Sequence, residues 1–168
     1  GFSVFDADYE VAKLYKKNKK IFLKLKKILP KNIKSFPIEK KEITEAILQK
    51  KGNLKKIINI VHYEIRKKMN FFLKTNKNKK FVVLDVPLLL ENKLNKKGDV
   101  LIFVDSRKSD ILKKLRKRKN FNKKLFDKFK KIQFSSKFKK NKAHFIIKNN
   151  FKKNSVKKDI NRILREIL

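Results

Sequence analysis

Three apolar runs in this 168-residue chain each end in an aspartate, and carboxylates in that position can do chemistry. The runs are Gly1–Asp6, Phe81–Asp85 and Val100–Asp105, and Asp8 follows the first of them. In an open parallel sheet, ligands bind beyond the carboxyl ends of the strands. Carboxylates there can orient a hydroxyl, accept its proton or hold the Mg²⁺ that accompanies nucleotide phosphates. These aspartates are therefore the first candidates for an active site.

Each candidate also has a structural explanation. Asp8 lies at the start of a predicted helix and could cap it, because a carboxylate there satisfies free N–H groups and favours the helix dipole. Asp85 and Asp105 could simply be polar ends of strands. His62 lies between Val61 and Ile65 in a helical pattern, where an isolated histidine can be structural.

Arginines in one basic segment could bind phosphates. Arg116 and Arg118 occur in the run Lys-Lys-Leu-Arg-Lys-Arg, and guanidinium groups can clamp a polyphosphate through paired hydrogen bonds. The alternative is a solvated basic face, because this chain is rich in lysine throughout.

The elements that must position these residues follow from apolar spacing. A helical pattern runs from Val11 to Ile28 until Pro30, and a second runs from Leu54 to Met69, with Asn53 as its N-cap. The unbroken runs that end at Asp85 and Asp105 predict strands buried on both faces. A short strand over residues 143–149 and an apolar helix over 156–167 complete the pattern. Alternating strands and helices predict a single α/β domain with a parallel sheet flanked by helices.

The formal net charge of +35 invites a nucleic-acid interpretation, because clustered cations release phosphate counterions. However, only six of the fifty basic residues are arginine, the residue that suits bidentate recognition of phosphates and bases. Lysine, isoleucine, asparagine and phenylalanine, whose codons are A/T-rich, dominate the chain. We therefore interpret the charge as compositional and expect no specific nucleic-acid binding.

Several classes are excluded by composition. The chain has no cysteine and only two distant histidines, so we expect neither a disulfide framework nor a zinc site. No apolar run reaches the length of a membrane span, and no signal-peptide pattern is present. We expect a cytoplasmic protein that binds no membrane.

Five segments occur together in an order and spacing that match one known family. They are Val4–Asp8, Ile60–His62, Asp85–Glu91 with its Pro-Leu-Leu-Leu-Glu turn, Arg118 followed by Gln133, and Ala143–Asn149. Together they resemble the dephospho-CoA kinase family along nearly the whole chain. The resemblance implies a P-loop kinase-like fold with a helical lid insertion.

The resemblance implies transfer of the γ-phosphoryl group of ATP to the ribose 3′-hydroxyl of dephospho-CoA, the last step of coenzyme A synthesis, with Mg²⁺ as cofactor. It makes Asp8 the catalytic carboxylate and Arg118 a lid arginine on the ATP phosphates. It further implies a helical acceptor-binding region over about 30–72 and a basic helical lid over about 107–140. The other implied positions are Asp6, His62, Asp85, Pro87 and Glu91 for the acceptor, and Lys114, Gln133, Lys139 and Asn149 for ATP and the lid.

The sequence departs from the family pattern at several positions. Tyr63 replaces a proline, His144 replaces an aspartate, and Ile111 and Lys114 stand where the family commonly has glutamine and arginine. Lys114 keeps the charge of arginine but loses its planar fork.

The phosphate-binding loop of such kinases, G-x-x-x-x-G-K-[ST], has no counterpart among the three glycines, Gly1, Gly52 and Gly98. That loop supplies backbone N–H groups, a lysine and a hydroxyl to the phosphates and Mg²⁺. We interpret the chain as a copy that lacks the first strand and this loop. Two alternatives remain, a lysine-rich nucleic-acid-binding protein and another P-loop kinase that acts on a nucleoside or nucleotide.

We expect little or no phosphoryl transfer from ATP to dephospho-CoA by these 168 residues alone, because scattered lysines cannot replace the backbone cradle for phosphates. The measurement compares this chain with the same chain preceded by a phosphate-loop segment. Normal turnover by the shorter chain would contradict the expectation.

Overall fold

The computed structural model describes residues 1–168, in which eight helices and four strands follow one another. The strands are β1 (Ser3–Asp6), β2 (Val82–Asp85), β3 (Ile102–Asp105) and β4 (Phe145–Lys148). The helices are α1 (Ala7–Lys17), α2 (Lys19–Ile28), α3 (Lys40–Gln49), α4 (Asn53–Thr75), α5 (Lys108–Arg116), α6 (Lys123–Lys131), α7 (Ser136–Lys142) and α8 (Lys153–Ile167). The chain divides into two compact units, unit 1 (Gly1–Pro87) and unit 2 (Leu88–Leu168).

Unit 1 is a parallel pair of strands covered by helices. β1 and β2 pair in parallel, with Ser3 opposite Val82 and Asp6 opposite Asp85. A parallel pair needs a long crossover, which α1 to α4 provide. The carboxyl ends of both strands therefore lie at the same edge of the sheet.

The core of unit 1 forms where α1, α2 and α3 pack against α4. On α4, Ile57, Val61, Ile65 and Met69 recur every four residues and are all buried, as one face of a 3.6-residue helix requires. From α1 and α2, Leu14, Ile21 and Leu25 are almost completely buried. Aromatic packing joins the sheet to this core, since the Phe5 and Phe72 rings lie 5.6 Å apart.

The helical pattern over residues 11–28 is two helices rather than one. The structure ends α1 at Lys17 and begins α2 at Lys19, because Asn18 has the extended angles φ −102° and ψ 94°. Its backbone N–H donates to Leu14 O, and its side-chain oxygen accepts from the Ile21 N–H at 3.0 Å. Asn18 thus caps both helices, and this local hydrogen bonding replaces the continuous helical ladder.

The prediction that Asn53 is the N-cap of the second long helix is wrong. The cap is Gly52, whose φ of 103° lies in the left-handed region that glycine adopts without strain. Asn53 is instead the first helical residue, only 5% exposed, and its side chain donates to Ala46 O at 2.8 Å. It therefore joins the end of α3 to the start of α4.

Unit 2 contains a second parallel pair, with Ile102 of β3 opposite Phe145 of β4 and Asp105 opposite Lys148. α8 packs on β4 and α7 on β3. Only two apolar side chains of this unit are buried, Ile147 and Ile163. All the other buried apolar side chains of the protein belong to unit 1. The principal hydrophobic core therefore lies in unit 1.

The expectation that the central strands are buried on both faces is also wrong. β2 and β3 alternate between half-buried and exposed residues. Val83 on β2 is 43% exposed and Val104 on β3 is 54% exposed. β2 and β3 each pair with one strand only. The exposed residues of each strand lie on one face, which the helices of its unit do not cover.

No helix of the protein combines the length and apolar character that crossing a membrane requires.

Leu25→Ala tests the core of unit 1. Leu25 is 0% exposed, so we expect the free energy of unfolding to fall by about 2–5 kcal/mol. Leu23→Ala on the same helix is the matched control, because Leu23 is 55% exposed and its loss changes stability by less than about 0.5 kcal/mol. Urea unfolding followed by tyrosine fluorescence measures both, since all three tyrosines belong to unit 1 and the chain has no tryptophan. Equal losses in the two variants would contradict the assigned core.

Candidate active site

Carboxylates gather at the carboxyl edge of the sheet in unit 1. The register sets Asp6 opposite Asp85, and α1 begins at the next residue, Ala7. Asp6 is the N-cap of this helix, because its Oδ1 accepts from the Tyr9 N–H at 2.9 Å. The capping function considered for Asp8 thus belongs to Asp6, and Asp8 occupies the first turn of α1 as an exposed residue.

The surroundings of Asp8 change its acidity. Desolvation by the nearby protein raises the pKa of its carboxyl above the ordinary 3.8, and the negative charges of Asp6 and Asp85 raise it further. The positive charge of Lys40, at the start of α3, partly opposes them. A carboxylate with a raised pKa is a stronger base, while its exposure leaves it accessible to a ligand. Asp8 is therefore suited to accept a proton from a hydroxyl.

Lys40 was not singled out from the sequence. Its charge lowers the pKa of Asp8 although α2 and a loop separate the two helices in sequence. A single lysine among fifty basic residues cannot be singled out by sequence pattern. Glu42 was also missed, although the spacing of Glu39 and Glu42 matches a capping box. Its carboxylate accepts the backbone N–H groups of Lys34, Ser35 and Glu39, so it fixes the loop before α3.

Two other sequence candidates lie in unit 1. His62 is half-buried on α4, between Val61 of the buried face and the exposed Tyr63. Pro87 is exposed and follows β2 after Val86, where a proline does not have to donate to a sheet ladder.

Unit 2 has a cavity of about 600 Å³ at the carboxyl ends of its strands. Asp105, which ends β3, and Asn149, which follows β4, line it together with Arg107, Ser155 and Lys158. The Asn149 N–H donates to Asp105 O at 2.7 Å, which ties the two strand ends together. The cavity lies at the position where parallel sheets bind ligands.

Side chains around β4 fix the segment that lines this cavity. The Asn149 side-chain oxygen accepts from the Phe151 N–H at 2.8 Å, and the Lys114 ammonium lies 5.4 Å from the centre of the Phe151 ring. At the other end of β4, the Leu101 N–H donates to His144 Nδ1 at 2.8 Å. His144 therefore has a structural role in the strand pair.

Two further sequence candidates, Glu91 and Lys139, form an ion pair. Lys139 Nζ lies 2.7 Å from Glu91 Oε1, and the same oxygen accepts from the Phe134 N–H at 2.8 Å. The Glu91 side chain is only 8% exposed. Burial alone would raise the pKa of Glu91, but the hydrogen bonds from Lys139, its own N–H and Phe134 outweigh burial and hold the pKa below 4.5.

Arg118 and Gln133 are both exposed and lie outside the helices. Arg118 follows α5, and its backbone C=O accepts from the Phe121 N–H. Gln133 follows α6, and its N–H donates to Lys130 O. The expected lid over residues 107–140 thus consists of three short helices, α5, α6 and α7, joined by turns.

The histidine and carboxylate side chains of the protein do not form a site for a metal ion. No group of three or more histidine or acidic side chains is arranged to hold a cation. Magnesium is commonly held by one or two carboxylates together with substrate phosphates, so such an ion would arrive as part of a nucleotide complex.

Comparison with known proteins decides the family. The dephospho-CoA kinase family profile matches residues 1–155. Dephospho-CoA kinase from a Wolbachia endosymbiont of Brugia malayi is 31% identical over 166 residues, which are 98% of this chain and 85% of the relative. The enzyme from Fusobacterium nucleatum is 31% identical over 174 residues, which cover 99% of this chain and 86% of the relative. This chain belongs to the dephospho-CoA kinase family.

Solved structures support the fold of this dephospho-CoA kinase family member. Dephospho-CoA kinase from Campylobacter jejuni superimposes with a TM-score of 0.62 at 24% identity, covering 99% of this chain and 85% of the other. A Thermus thermophilus protein superimposes with a TM-score of 0.73 at 18% identity, covering 100% of this chain and 86% of the other. The predicted α/β kinase-like fold and the predicted membership of a phosphotransferase family are confirmed.

Asp8→Asn tests the carboxylate cluster of this kinase through stability. A raised pKa means that the ionised carboxyl is less favourable in the folded chain than in the unfolded one. Asp8 therefore lowers stability above its folded pKa and has no such effect below 3.8, where both states are protonated. We expect Asp8→Asn to stabilise unit 1 at pH 7, by less than about 1 kcal/mol because water screens an exposed group, and to lose this advantage at pH 3.

Glu10→Gln, on the same turn of α1, is the control with the opposite sign. The hydrogen bond from Lys68 lowers the pKa of Glu10 despite partial burial, with Lys68 Nζ at 2.8 Å. Its stabilisation is present above pH 4.5 and is lost as the pH falls through the folded pKa. Glu10→Gln should therefore destabilise at pH 7. Urea unfolding by tyrosine fluorescence at both pH values checks the pair, and destabilisation by Asp8→Asn at pH 7 would contradict the cluster.

Proposed function

We propose that this chain, once preceded by a phosphate-loop segment, transfers the γ-phosphoryl group of ATP to the ribose 3′-hydroxyl of dephospho-CoA, with Asp8 as the catalytic carboxylate. The observation that carries the proposal is the position of Asp8 in the first turn of α1, beside Asp6 and Asp85, in a chain whose family acts on this substrate. In phosphoryl transfer, catalysis consists mainly of positioning and charge stabilisation, with one carboxylate that aligns the acceptor hydroxyl.

Asp8 would orient the 3′-hydroxyl and accept its proton as the oxygen attacks the γ-phosphorus. The raised pKa of Asp8 favours this step, because a more basic carboxylate takes the proton more readily. The oxygen–phosphorus bond to the acceptor forms, the bond from phosphorus to the bridging oxygen of ADP breaks, and the proton stays on Asp8. The positions of unit 1 proposed for the acceptor are Asp6, His62, Asp85 and Pro87. Glu91, expected on this side from the sequence, instead pairs with Lys139 in unit 2.

Unit 2 would supply the nucleotide side. The cavity at the ends of β3 and β4 is lined by charged and amide residues and lies where parallel sheets bind ligands, and Asn149 is one of its lining residues. Arg118 would stabilise the charge that develops on the phosphates, since an exposed guanidinium can move onto a bound polyphosphate. Lys114, Gln133 and Lys139 are the other positions proposed for the nucleotide and its lid. Mg²⁺ would enter as the partner of the ATP phosphates.

Asp8→Asn should lower kcat about 10²-fold or more with little change in KM, because the amide keeps the shape of the carboxylate but cannot take the proton. Transfer from ATP to dephospho-CoA is measured with these 168 residues and with the same residues preceded by a phosphate-loop segment. Asp127→Asn is the matched control, since Asp127 is a carboxylate of α6 that pairs only with surface lysines.

Two outcomes would contradict the proposal. One is transfer to a nucleoside or nucleotide acceptor in preference to dephospho-CoA, which favours a different kinase specificity. The other is equal activity of the Asp8→Asn and Asp127→Asn variants, which would remove Asp8 from the reaction.

A further inference from the structure

The carboxylate of Glu91 is engaged almost entirely by unit 2 itself. Its Oε1 lies 2.7 Å from Lys139 Nζ and accepts from the Phe134 N–H at 2.8 Å, and its own backbone N–H adds a further hydrogen bond. With 8% of its side chain exposed, little of the group is open to a ligand. An ion pair of this kind is costly to break from one side, because the remaining charge stays buried without its partner.

The next residue along α7 makes a second long-range ion pair. Lys140 Nζ lies 2.7 Å from Asp105 Oδ2, at the end of β3. Asp105 lines the cavity proposed above for the nucleotide. Adjacent lysines of α7 therefore bind two carboxylates that lie far from α7 in sequence, one in the turn after β2 and one at the cavity.

α7 is short and, apart from its packing on β3, has little else to hold it. It spans seven residues, none of them buried. Its own start is ordered locally, since the Phe138 N–H donates to the Ser135 cap and the Phe134 and Phe138 rings pack 4.8 Å apart. A helix of two turns is marginal on its own, so its position depends on the residues that bind it from outside.

We propose that Glu91 is a positioning residue of the kinase. Glu91 fixes α7 through Lys139 and the Phe134 N–H, and α7 in turn holds Asp105 at the edge of the cavity through Lys140. The link to ATP rests on the function proposed above, whereas the link from Glu91 to α7 can be measured without any substrate. Glu91 thus affects the nucleotide side without touching the nucleotide.

The positioning role differs measurably from a direct contact with the acceptor. If Glu91 positions α7, its neutralisation weakens ATP binding and leaves dephospho-CoA binding nearly unchanged. If Glu91 contacts the acceptor, the same substitution weakens dephospho-CoA binding and leaves α7 in place.

The test uses Glu91→Gln, Lys139→Met, the double variant and Lys139→Arg, which keeps the charge. Amide hydrogen exchange of Phe134 and Ala143 reports on the two ends of α7, since the Ala143 N–H donates to the last turn of that helix. Calorimetry gives the affinities for ATP and for dephospho-CoA, with each variant preceded by the phosphate-loop segment. Asp127→Asn is the control, because it breaks an ion pair of 2.8 Å within α6 that joins no other element.

We expect Glu91→Gln and Lys139→Met each to speed exchange at Phe134 at least tenfold, and Glu91→Gln to weaken ATP binding at least threefold. For exchange, the double variant should be no worse than either single one, because one interaction is lost in all three. Lys139→Arg should keep the slow exchange at Phe134, and Asp127→Asn should resemble the original chain in exchange and in binding. If Glu91→Gln does not fold, as judged by circular dichroism, Lys139→Met decides the same question from the more exposed partner.

Unchanged exchange at Phe134 in both single variants would overturn the proposal, and so would weaker binding of dephospho-CoA alone. If the unsubstituted chain preceded by the phosphate-loop segment binds neither ATP nor dephospho-CoA, the proposed function fails, and the exchange rates still decide whether Glu91 positions α7.

Discussion

The parallel pairing of β1 with β2 determines where the carboxylates of unit 1 gather. Because the register sets Asp6 opposite Asp85, two negative charges meet where α1 begins. Asp6 accepts the Tyr9 N–H of the helix, and Asp8 remains in the first turn with its pKa raised by desolvation and by both neighbours. A shift of one residue in either strand would separate these carboxylates. Strand register therefore adds to the basicity that desolvation gives Asp8.

Unit 2 repeats the arrangement with a different balance of charge. Asp105 and Lys148 end the paired strands, so opposite charges meet there, and the polar cavity opens beside them. Most lysines of the chain form a solvated coat, in keeping with a charge that reflects composition. A few are tied to carboxylates with low exposure or to strand ends, as Lys139 is to Glu91 and Lys140 is to Asp105. These two lysines differ from most of the others because each lies next to a carboxylate outside its own helix.

Local patterns in the sequence predicted the strands, their aspartate ends and the kinase family, because each depends on a few neighbouring residues. Features that depend on distant partners could not be predicted. The side chain of Asn53 bonds to Ala46, and Lys40 acts on Asp8, yet no short pattern connects either pair. Asn18 was missed for another reason, since its side chain interrupts an apolar spacing that is continuous on both sides. The pairing of Glu91 with Lys139 likewise needed coordinates, although each residue had been singled out separately.

The uneven distribution of buried apolar residues affects how the protein loses its structure. Unit 1 contains nearly all of the hydrophobic core, whereas unit 2 buries only Ile147 and Ile163 and depends more on strand pairing and ion pairs. The two units therefore differ in what stabilises them. We expect them to lose their structure at different temperatures, so that one melting temperature would not describe the whole chain.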